Sequence, residues 1–158
     1  MNPLSLVVRT TCDFFAWFMI IFGVNVVVHG YMTPGGGFQG GAIIATFAVF
    51  FLVAYGGRKM LAWVNEKVYD LFDEIGLVLF FLLAFWGLPT SFFFNFLAKP
   101  FTESSVTAII PGAGTIVLMS IAVGFEVSGA ISLIILTMYK GIRIFRTESQ
   151  ELETGYER

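Results

Sequence analysis

Four stretches of this 158-residue chain are long, apolar and nearly free of charge, and they constrain the fold more than any other feature. A helix needs about 20 mostly apolar residues to cross the hydrocarbon core of a bilayer. The stretches predict an all-α integral membrane protein with four transmembrane helices, at about residues 7–29, 38–55, 71–97 and 112–138. Only 13% of the residues are charged, against about 25% in soluble domains. A disordered chain, a nucleic-acid binder and an ordinary soluble enzyme are therefore excluded.

The first stretch has a rival interpretation as a cleavable signal peptide. Asp13 lies within its beginning, the uncharged run from Phe14 to Val28 is long, and no small-residue cleavage pattern follows. These features favour a helix that is retained in the membrane.

The segment between the second and third spans, residues 58–70, has a different pattern. Apolar residues recur every four positions: Met60, Val64 and Val68. Charged residues occupy the other face: Lys59, Glu66, Lys67 and Asp70. This pattern predicts a short amphipathic helix in the membrane interface, and a solvated connecting helix is the alternative.

The positions of the basic residues predict the orientation of the chain. Four spans place the N-terminus, the 58–74 segment and the C-terminus on one side, and eight of the nine Lys and Arg residues lie there. These eight are Arg9, Arg58, Lys59, Lys67, Lys140, Arg143, Arg146 and Arg158, and Lys99 lies on the other side. The positive-inside rule then predicts a multi-pass protein of the cell membrane with both termini cytoplasmic. Residues 1–146 form one membrane domain, and residues 147–158 form an acidic cytoplasmic tail.

The sequence offers little for covalent chemistry. The chain has one cysteine, Cys12, and one histidine, His29, so it can form neither an internal disulfide nor a structural zinc site. It contains no Gly-x-Ser-x-Gly motif and no Gly-rich nucleotide-binding loop. We therefore expect no metal, no cofactor, no catalytic residues and no enzymatic activity by this chain alone.

Glu126 is the most informative charged residue, because it lies near the middle of the fourth apolar span. A charge at the centre of a bilayer costs at least about 2.5–3.5 kcal/mol, so the side chain must face protein or water. One interpretation is a carboxylate that relays protons or cations. The other is a protonated carboxyl that is hydrogen-bonded within a helix bundle. Small and hydroxyl residues form a stripe on an adjacent face and permit close helix contact: Ser120, Gly124, Ser128 and Ser132.

Four further residues are candidates for an ion path. Asp13 is either an ion-uptake group near the inner boundary or a first-turn acid at a helix start. His29 is either a proton-transfer group near the outer boundary or an anchoring hydrogen-bond donor. Asp73 and Glu74 begin the third span, where they are either acids at a helix N-terminus or a mouth that attracts cations.

A Gly-rich segment joins the first two spans. Its turn and helix-start residues are Pro34, Gly35, Gly36, Gly37, Gly40 and Gly41. Proline fixes one backbone angle and glycine releases the others, so the segment predicts a turn. The spacing of four between Gly36 and Gly40, and between Gly37 and Gly41, predicts a helix face that presses closely on another helix. We expect this face to be an assembly surface, within this chain or with another.

The run from His29 to Gly41 reads His-Gly-Tyr-Met-Thr-Pro-Gly-Gly-Gly-Phe-Gln-Gly-Gly. It resembles the signature of the B-subunit family of Mrp-type multisubunit cation/proton antiporters, in which a helix ends in His-Gly and Ser/Thr-Pro-Gly-Gly-Gly-Phe-x-Gly-Gly opens the next. The resemblance implies an accessory subunit of a large membrane assembly, without a cofactor of its own. Homologous subunits also belong to ion-translocating modules of membrane-bound hydrogenases and related complexes. Glu126 lies outside the Gly-rich run that carries the resemblance, and its proposed role rests on the physical argument alone.

Three hypotheses follow. The chain is a transport subunit that lines or supports a path for sodium ions or protons, a structural subunit that positions its neighbours, or an independent four-helix exporter. The expected partners are other membrane subunits and the lipid bilayer, and no nucleic acid. The first two hypotheses differ at Glu126, because a path residue needs access to water and a structural one needs a fixed partner.

Overall fold

The computed structural model describes residues 5–32, 34–57, 66–88, 91–95, 97 and 113–156. Four α-helices account for most of them: α1 (Leu6–His29), α2 (Gly37–Tyr55), α3 (Glu66–Trp86) and α4 (Thr115–Tyr156). The all-α class predicted from the apolar stretches is confirmed. Residues 58–65, the first part of the expected amphipathic helix, lie outside the described residues, and residues 66–70 begin α3.

Three of the helices are long and apolar enough to cross a membrane: Leu6–His29, Gly37–Tyr55 and Thr115–Gln150 within α4. The chain is therefore a membrane protein. α3 does not join this group, because its first half carries several charged residues: Glu66, Lys67, Asp70, Asp73 and Glu74. A fourth crossing by α3 stays a prediction.

The helices pack in the spatial order α1, α2, α4, α3, with a smaller contact between α1 and α4. α2 and α4 run parallel, since Gly37 lies near Ser120 at one end and Gly57 lies against the ring of Tyr139 at the other. α1 and α3 flank this pair in the opposite direction. The two ends of the molecule are called here the Gly37 end and the Tyr55 end.

Small residues make the helix contacts, and large ones point outward. Six alanines are almost completely buried: Ala16, Ala45, Ala48, Ala54, Ala84 and Ala122. By contrast, Phe14, Trp17 and Trp86 are between 64% and 70% exposed. Small residues at the contacts and bulky apolar residues outside are typical of helices that pack within lipid.

α3 ends earlier than the span predicted at 71–97. The helix stops at Trp86, residues 87–88 and 92–93 lie in turns, and the Phe93 N–H bonds back to the Ala84 carbonyl at 3.4 Å. Gly87 favours a helix end, and Pro89 has no N–H to continue the helical hydrogen bonds. α3 also begins earlier than predicted, at Glu66.

Asn95 caps the start of α4 from the turn region that follows α3. Its Oδ1 accepts hydrogen bonds from both the N–H and the hydroxyl of Thr115, each at 2.8 Å. Its Nδ2 donates to the Ala113 carbonyl at 2.8 Å. Thr115 is 1% exposed, so its N–H and hydroxyl would otherwise be buried without hydrogen-bond partners. The Asn95 side chain satisfies both groups at this helix N-terminus.

α4 has 42 residues and continues without a break to Tyr156. At 1.5 Å per residue its length is about 63 Å. The segment interpreted from sequence as a separate acidic tail therefore forms the last turns of α4 as far as residue 156. The side chains of residues 142–150 are exposed.

Candidate functional site

Glu126 lies where α3 and α4 almost touch. A Cβ placed on Gly76 of α3 would be 2.6 Å from the Glu126 backbone nitrogen and 2.8 Å from the Glu126 Cβ. Only glycine permits so close an approach. The Glu126 side chain is half-buried at this contact. In the part of the chain that the structure describes, its carboxylate makes no hydrogen bond and no ion pair.

The depth of Glu126 follows from its place along α4. It is about 17 Å along the helix axis from Thr115 and about 20 Å from Tyr139. Tyr139 marks the Tyr55 end, because its ring lies against Gly57 just after α2. Glu126 is thus near the middle of the helical layer, as its position in the apolar span predicts.

Asp73 and Glu74 lie deeper than the sequence indicates. α3 begins at Glu66, so Glu74 is about 12 Å inside the helix. The interpretation of both residues as first-turn acids is wrong, because dipole stabilisation is confined to the first turn. A Cβ on Gly129 of α4 would be 3.0 Å from the Asp73 backbone nitrogen, which places Asp73 about one turn from the level of Glu126.

The three carboxylates are therefore distributed along α3 and α4 at similar depths. Asp73 and Glu126 are half-buried, and Glu74 is exposed. Among the described residues, no group of three His, Cys, Asp or Glu side chains converges as metal ligands would. The arrangement is a series of carboxylates at separate positions. Such a series can pass protons or weakly bound cations from one position to the next where water reaches it.

Asp13 belongs to a different cluster, at the Tyr55 end. The Tyr55 hydroxyl donates a 2.7 Å hydrogen bond to Asp13 Oδ2 and so joins α1 to α2. The Arg9 guanidinium lies 5.8 Å from the centre of the Tyr55 ring, within cation–π range. The first turn of α1 contains no acidic residue, so the first-turn interpretation of Asp13 is also wrong. Asp13 Oδ1 and Arg9 Nε are buried and have no hydrogen-bond partner among the described residues.

His29 lies in the last turn of α1 and bonds to its own helix. Its Nδ1 is 3.0 Å from the Asn25 carbonyl oxygen, to which it donates. His29 is about 24 Å along α1 from Asp13. The structure does not bring the two together. The local hydrogen bond matches the interpretation of His29 as an anchor at the turn.

The Gly-rich segment brings three helices together at the Gly37 end. A Cβ on Gly40 would lie 2.7 Å from the Gly23 carbonyl oxygen of α1, and one on Gly41 would lie 2.8 Å from the Gly124 carbonyl oxygen of α4. The Ser120 hydroxyl adds a 3.0 Å hydrogen bond to the Val27 carbonyl of α1. In the turn before α2, Gly35 and Gly36 have φ angles of 151° and 134°, which side chains disfavour.

An apolar groove of about 400 Å³ lies among all four helices. Gly124, Ser128 and Ser132, from the stripe of small residues seen in the sequence, contribute to its α4 wall. Phe47, Phe72 and other apolar side chains form most of the remaining surface. Glu126 does not line this groove, so the groove and the carboxylates are separate features of α4.

Tyr55 and Gly76 are the residues that the sequence did not single out. Tyr55 is the last residue of α2, 42 positions from Asp13. Gly76 is an isolated glycine within α3. An isolated glycine in a helical pattern is the one available signal, since it often marks a close packing contact. No local pattern indicates the contact of Tyr55, because it depends on how α1 and α2 are rotated against each other.

Comparison with known proteins gives a consistent result. Residues 7–133 match the family model described as a domain related to the MnhB subunit of Na+/H+ antiporters. The chain is 33% identical over 120 residues to the uncharacterized protein MJ1307 of Methanocaldococcus jannaschii, with 72% of this chain covered. The match spans only 44% of that longer relative.

A second relative matches over almost its whole length. It is a Staphylococcus aureus (strain Newman) protein with the provisional name antiporter subunit mnhB2. The two are 26% identical over 147 residues, covering 89% of this chain and 99% of the relative. The family and this relative are named for transport rather than catalysis. With the family model covering most of the apolar helices and the whole Gly-rich turn, the chain belongs to the family of domains related to the MnhB subunit of Na+/H+ antiporters.

Proposed function

We propose that this chain is an accessory membrane subunit of a multisubunit sodium (cation)/proton antiporter, and that the contact between α3 and α4 borders an ion path. The observation that carries the proposal is Glu126, a carboxylate at mid-depth with no partner in the described part of its own chain. Family membership supports the antiporter assembly as the host.

The argument rests on the cost of an isolated charge in the membrane. A carboxylate at that depth needs an opposite charge, hydrogen-bond donors or water. The described helices supply no hydrogen bond or ion pair to Glu126. We infer that the missing partner comes from a neighbouring subunit, a cation or a water-filled passage. Each of these places Glu126 at an internal boundary of a larger assembly, and Asp73 lies about one turn away on α3.

A structural role in the same assembly is the alternative. It is favoured by the Gly37 end, where Gly40 and Gly41 bring α1, α2 and α4 into near backbone contact. This end is a rigid junction that suits a subunit which positions others. The two roles are separable, because the rigid junction and Glu126 lie on different parts of the molecule.

Two kinds of complex are candidate hosts for this chain. One is a stand-alone antiporter, which the name of the Staphylococcus aureus relative supports. The other is the antiporter-like module of a membrane-bound hydrogenase-type complex, which rests on the resemblance in the Gly-rich segment. An independent small exporter has no support from the family match. In either host we place the chain in the cell membrane with both termini in the cytoplasm.

Replacing Glu126 by glutamine tests the proposal. Glu126→Gln keeps the shape of the side chain and removes its titration, so the complex should assemble normally. Cation-coupled proton movement should fall by about 10-fold or more, as for loss of a group that transfers protons. The measurement is the sodium-dependent pH change in inverted vesicles, normalised to the amount of assembled complex.

Glu148→Gln is the matched control, because Glu148 is an exposed carboxylate on the same helix beyond the apolar part. It should leave transport unchanged. Wild-type transport in Glu126→Gln would remove Glu126 from the ion path. Loss of assembly in Glu126→Leu would then favour the structural role, because an unpaired donor in the partner would remain buried.

A further inference from the structure

The outward face of α3 carries a carboxylate within an exposed apolar surface. A shallow groove of about 300 Å³ on this face is lined by Leu71, Glu74, Ile75, Val78, Leu79 and Leu82. The apolar members are between 39% and 57% exposed. These residues are called here the Glu74 face. None of the other three helices packs against it in the described part of the chain.

Glu74 lies well inside the helix. It is about 12 Å from the start of α3 at Glu66 and about 18 Å from its end at Trp86. The half from Ile75 to Trp86 contains no charge. If α3 crosses the membrane, as the sequence predicts, lipid on this face would leave Glu74 as a carboxylate in hydrocarbon without a partner, which intramembrane carboxylates avoid. With α3 as the fourth crossing, the face therefore meets protein.

The described residues of a second copy of this chain do not supply the missing partner. The basic side chains of the described residues are Arg9, His29, Lys67, Lys140, Arg143 and Arg146. Arg9 and His29 lie near the two ends of α1, Lys67 lies in the first turn of α3, and the remaining three follow Tyr139. None of them is at the depth of Glu74, so the described parts of two paired copies would offer neither carboxylate a counter-charge.

We propose that the Glu74 face docks a transmembrane helix of a different membrane protein, which presents a Lys, Arg or His side chain to Glu74. Apolar side chains of that helix fill the groove around Val78 and Leu82. The pair is stabilising because charge-assisted hydrogen bonds are stronger than neutral ones, and because both charges leave lipid. The inference rests on the proposed function in one respect, namely that the chain works inside a multisubunit assembly.

Photo-crosslinking in native membranes tests the docking. A photoreactive phenylalanine analogue replaces Val78 in the full-length chain, which stays in its complete complex. The expected product joins this chain to a different multi-pass membrane protein, and its crosslinked peptide lies within about two turns of a Lys, Arg or His. A product with lipid alone, or with a second copy of this chain, overturns the proposal.

Charge reversal tests the ion pair. Glu74→Lys should lower the yield of that crosslink at least about tenfold, because like charges across an interface cost several kcal/mol. Reversal of the partner's basic residue to Glu should restore the yield, which loss of folding would not permit. Glu148→Lys makes the same change of charge at an exposed site and should leave the yield unchanged. An unchanged yield in Glu74→Lys, or no restoration by the partner variant, overturns the pairing.

The two proposals fail in different ways. In one outcome, the purified complex contains antiporter subunits but the Glu74 face crosslinks only to lipid. This outcome overturns the docking and leaves the proposed function standing. A crosslink to a membrane protein that belongs to no transport complex overturns the proposed function and supports the docking.

Discussion

The hydrogen bond from Tyr55 to Asp13 links two helices through a single hydroxyl group. It joins α1 to α2 at 2.7 Å, and the other carboxylate oxygen of Asp13 is buried and has no hydrogen-bond partner in the part of the chain that the structure describes. Leaving a buried polar group unsatisfied costs about 1–3 kcal/mol, and more for a charged group. Among the described residues, Tyr55 is therefore the one donor to Asp13, and phenylalanine can replace it with little change in shape.

Tyr55→Phe should lower the stability of the protein, because it removes the hydroxyl that donates to Asp13 Oδ2, and no other described residue bonds to that carboxylate. The measurement is the midpoint of thermal unfolding in detergent, with the complex purified intact. Tyr31→Phe is the control, since Tyr31 is exposed in the turn after α1. A Tyr55→Phe midpoint equal to that of the wild type would show that water already satisfies Asp13.

At the scale of helices, glycine decides how closely α2 approaches α4. A Cβ on Gly41 would collide with the Gly124 carbonyl oxygen at 2.8 Å and with Val127. The same change at Gly141 of α4 meets nothing within 4 Å. The two glycines provide a matched pair of sites in helices.

Gly41→Ala should reduce the amount of folded protein in membranes, because the added methyl forces α2 away from α4. Overpacking of this kind costs about 1–3 kcal/mol. Gly141→Ala should be neutral or stabilising by up to about 1 kcal/mol, since alanine favours the helix. Quantitative immunoblots of the membrane fraction and thermal unfolding measure both. Equal behaviour of the two variants would contradict the close contact between α2 and α4.

The bounds of the first two apolar helices were the most predictable part of the fold. The predicted spans at 7–29 and 38–55 differ by one residue at most from α1 (Leu6–His29) and α2 (Gly37–Tyr55). Two long apolar runs separated by a Gly- and Pro-containing segment leave few other positions for the helix ends. The end of α4 was not predictable in this way. The end of an apolar run marks where a helix leaves the membrane, and the helix itself can extend further. A helix continues past that boundary when its residues favour helix, as those to Tyr156 do.

The candidate site was predictable in its residues but not in its arrangement. Glu126 was evident because a lone charge in an apolar span has few explanations. The depth of Asp73 and Glu74 was not evident, because it depends on where α3 begins, and that start falls within charged sequence. The approach of Gly76 to Glu126 was also hidden, since it depends on how α3 and α4 are rotated about their axes.

For the whole molecule, the orientation and the number of crossings are testable together. Single cysteines at Ser5, Ser91 or Glu148, each exposed, are placed in a Cys12→Ser background. Four crossings with cytoplasmic termini predict that Ser5→Cys and Glu148→Cys react with a membrane-impermeant maleimide only in inverted vesicles. Ser91→Cys should react only from the outside. Gly57 is unsuitable for such a probe, because the ring of Tyr139 occupies the space beside it.

Labelling of Ser5→Cys and Glu148→Cys from opposite sides would show three crossings, with α3 lying outside the hydrocarbon core. Labelling of both from the outside would reverse the orientation. The expected result rests on the distribution of basic residues, eight of nine on one side in the four-crossing arrangement.

The length of α4 has a consequence beyond the bilayer. From Tyr139, at the level of Gly57, the helix continues to Tyr156, about 26 Å further along its axis. The hydrocarbon core of a membrane is about 30 Å thick, so α4 is long enough to cross it and still stand well clear of it. The part of α4 after Tyr139 therefore projects from the membrane as a continuous helix. A protein that lies on the membrane surface beside α4 must have a shape that accommodates this helix. A label near Tyr156 would lie at a fixed distance from the membrane surface.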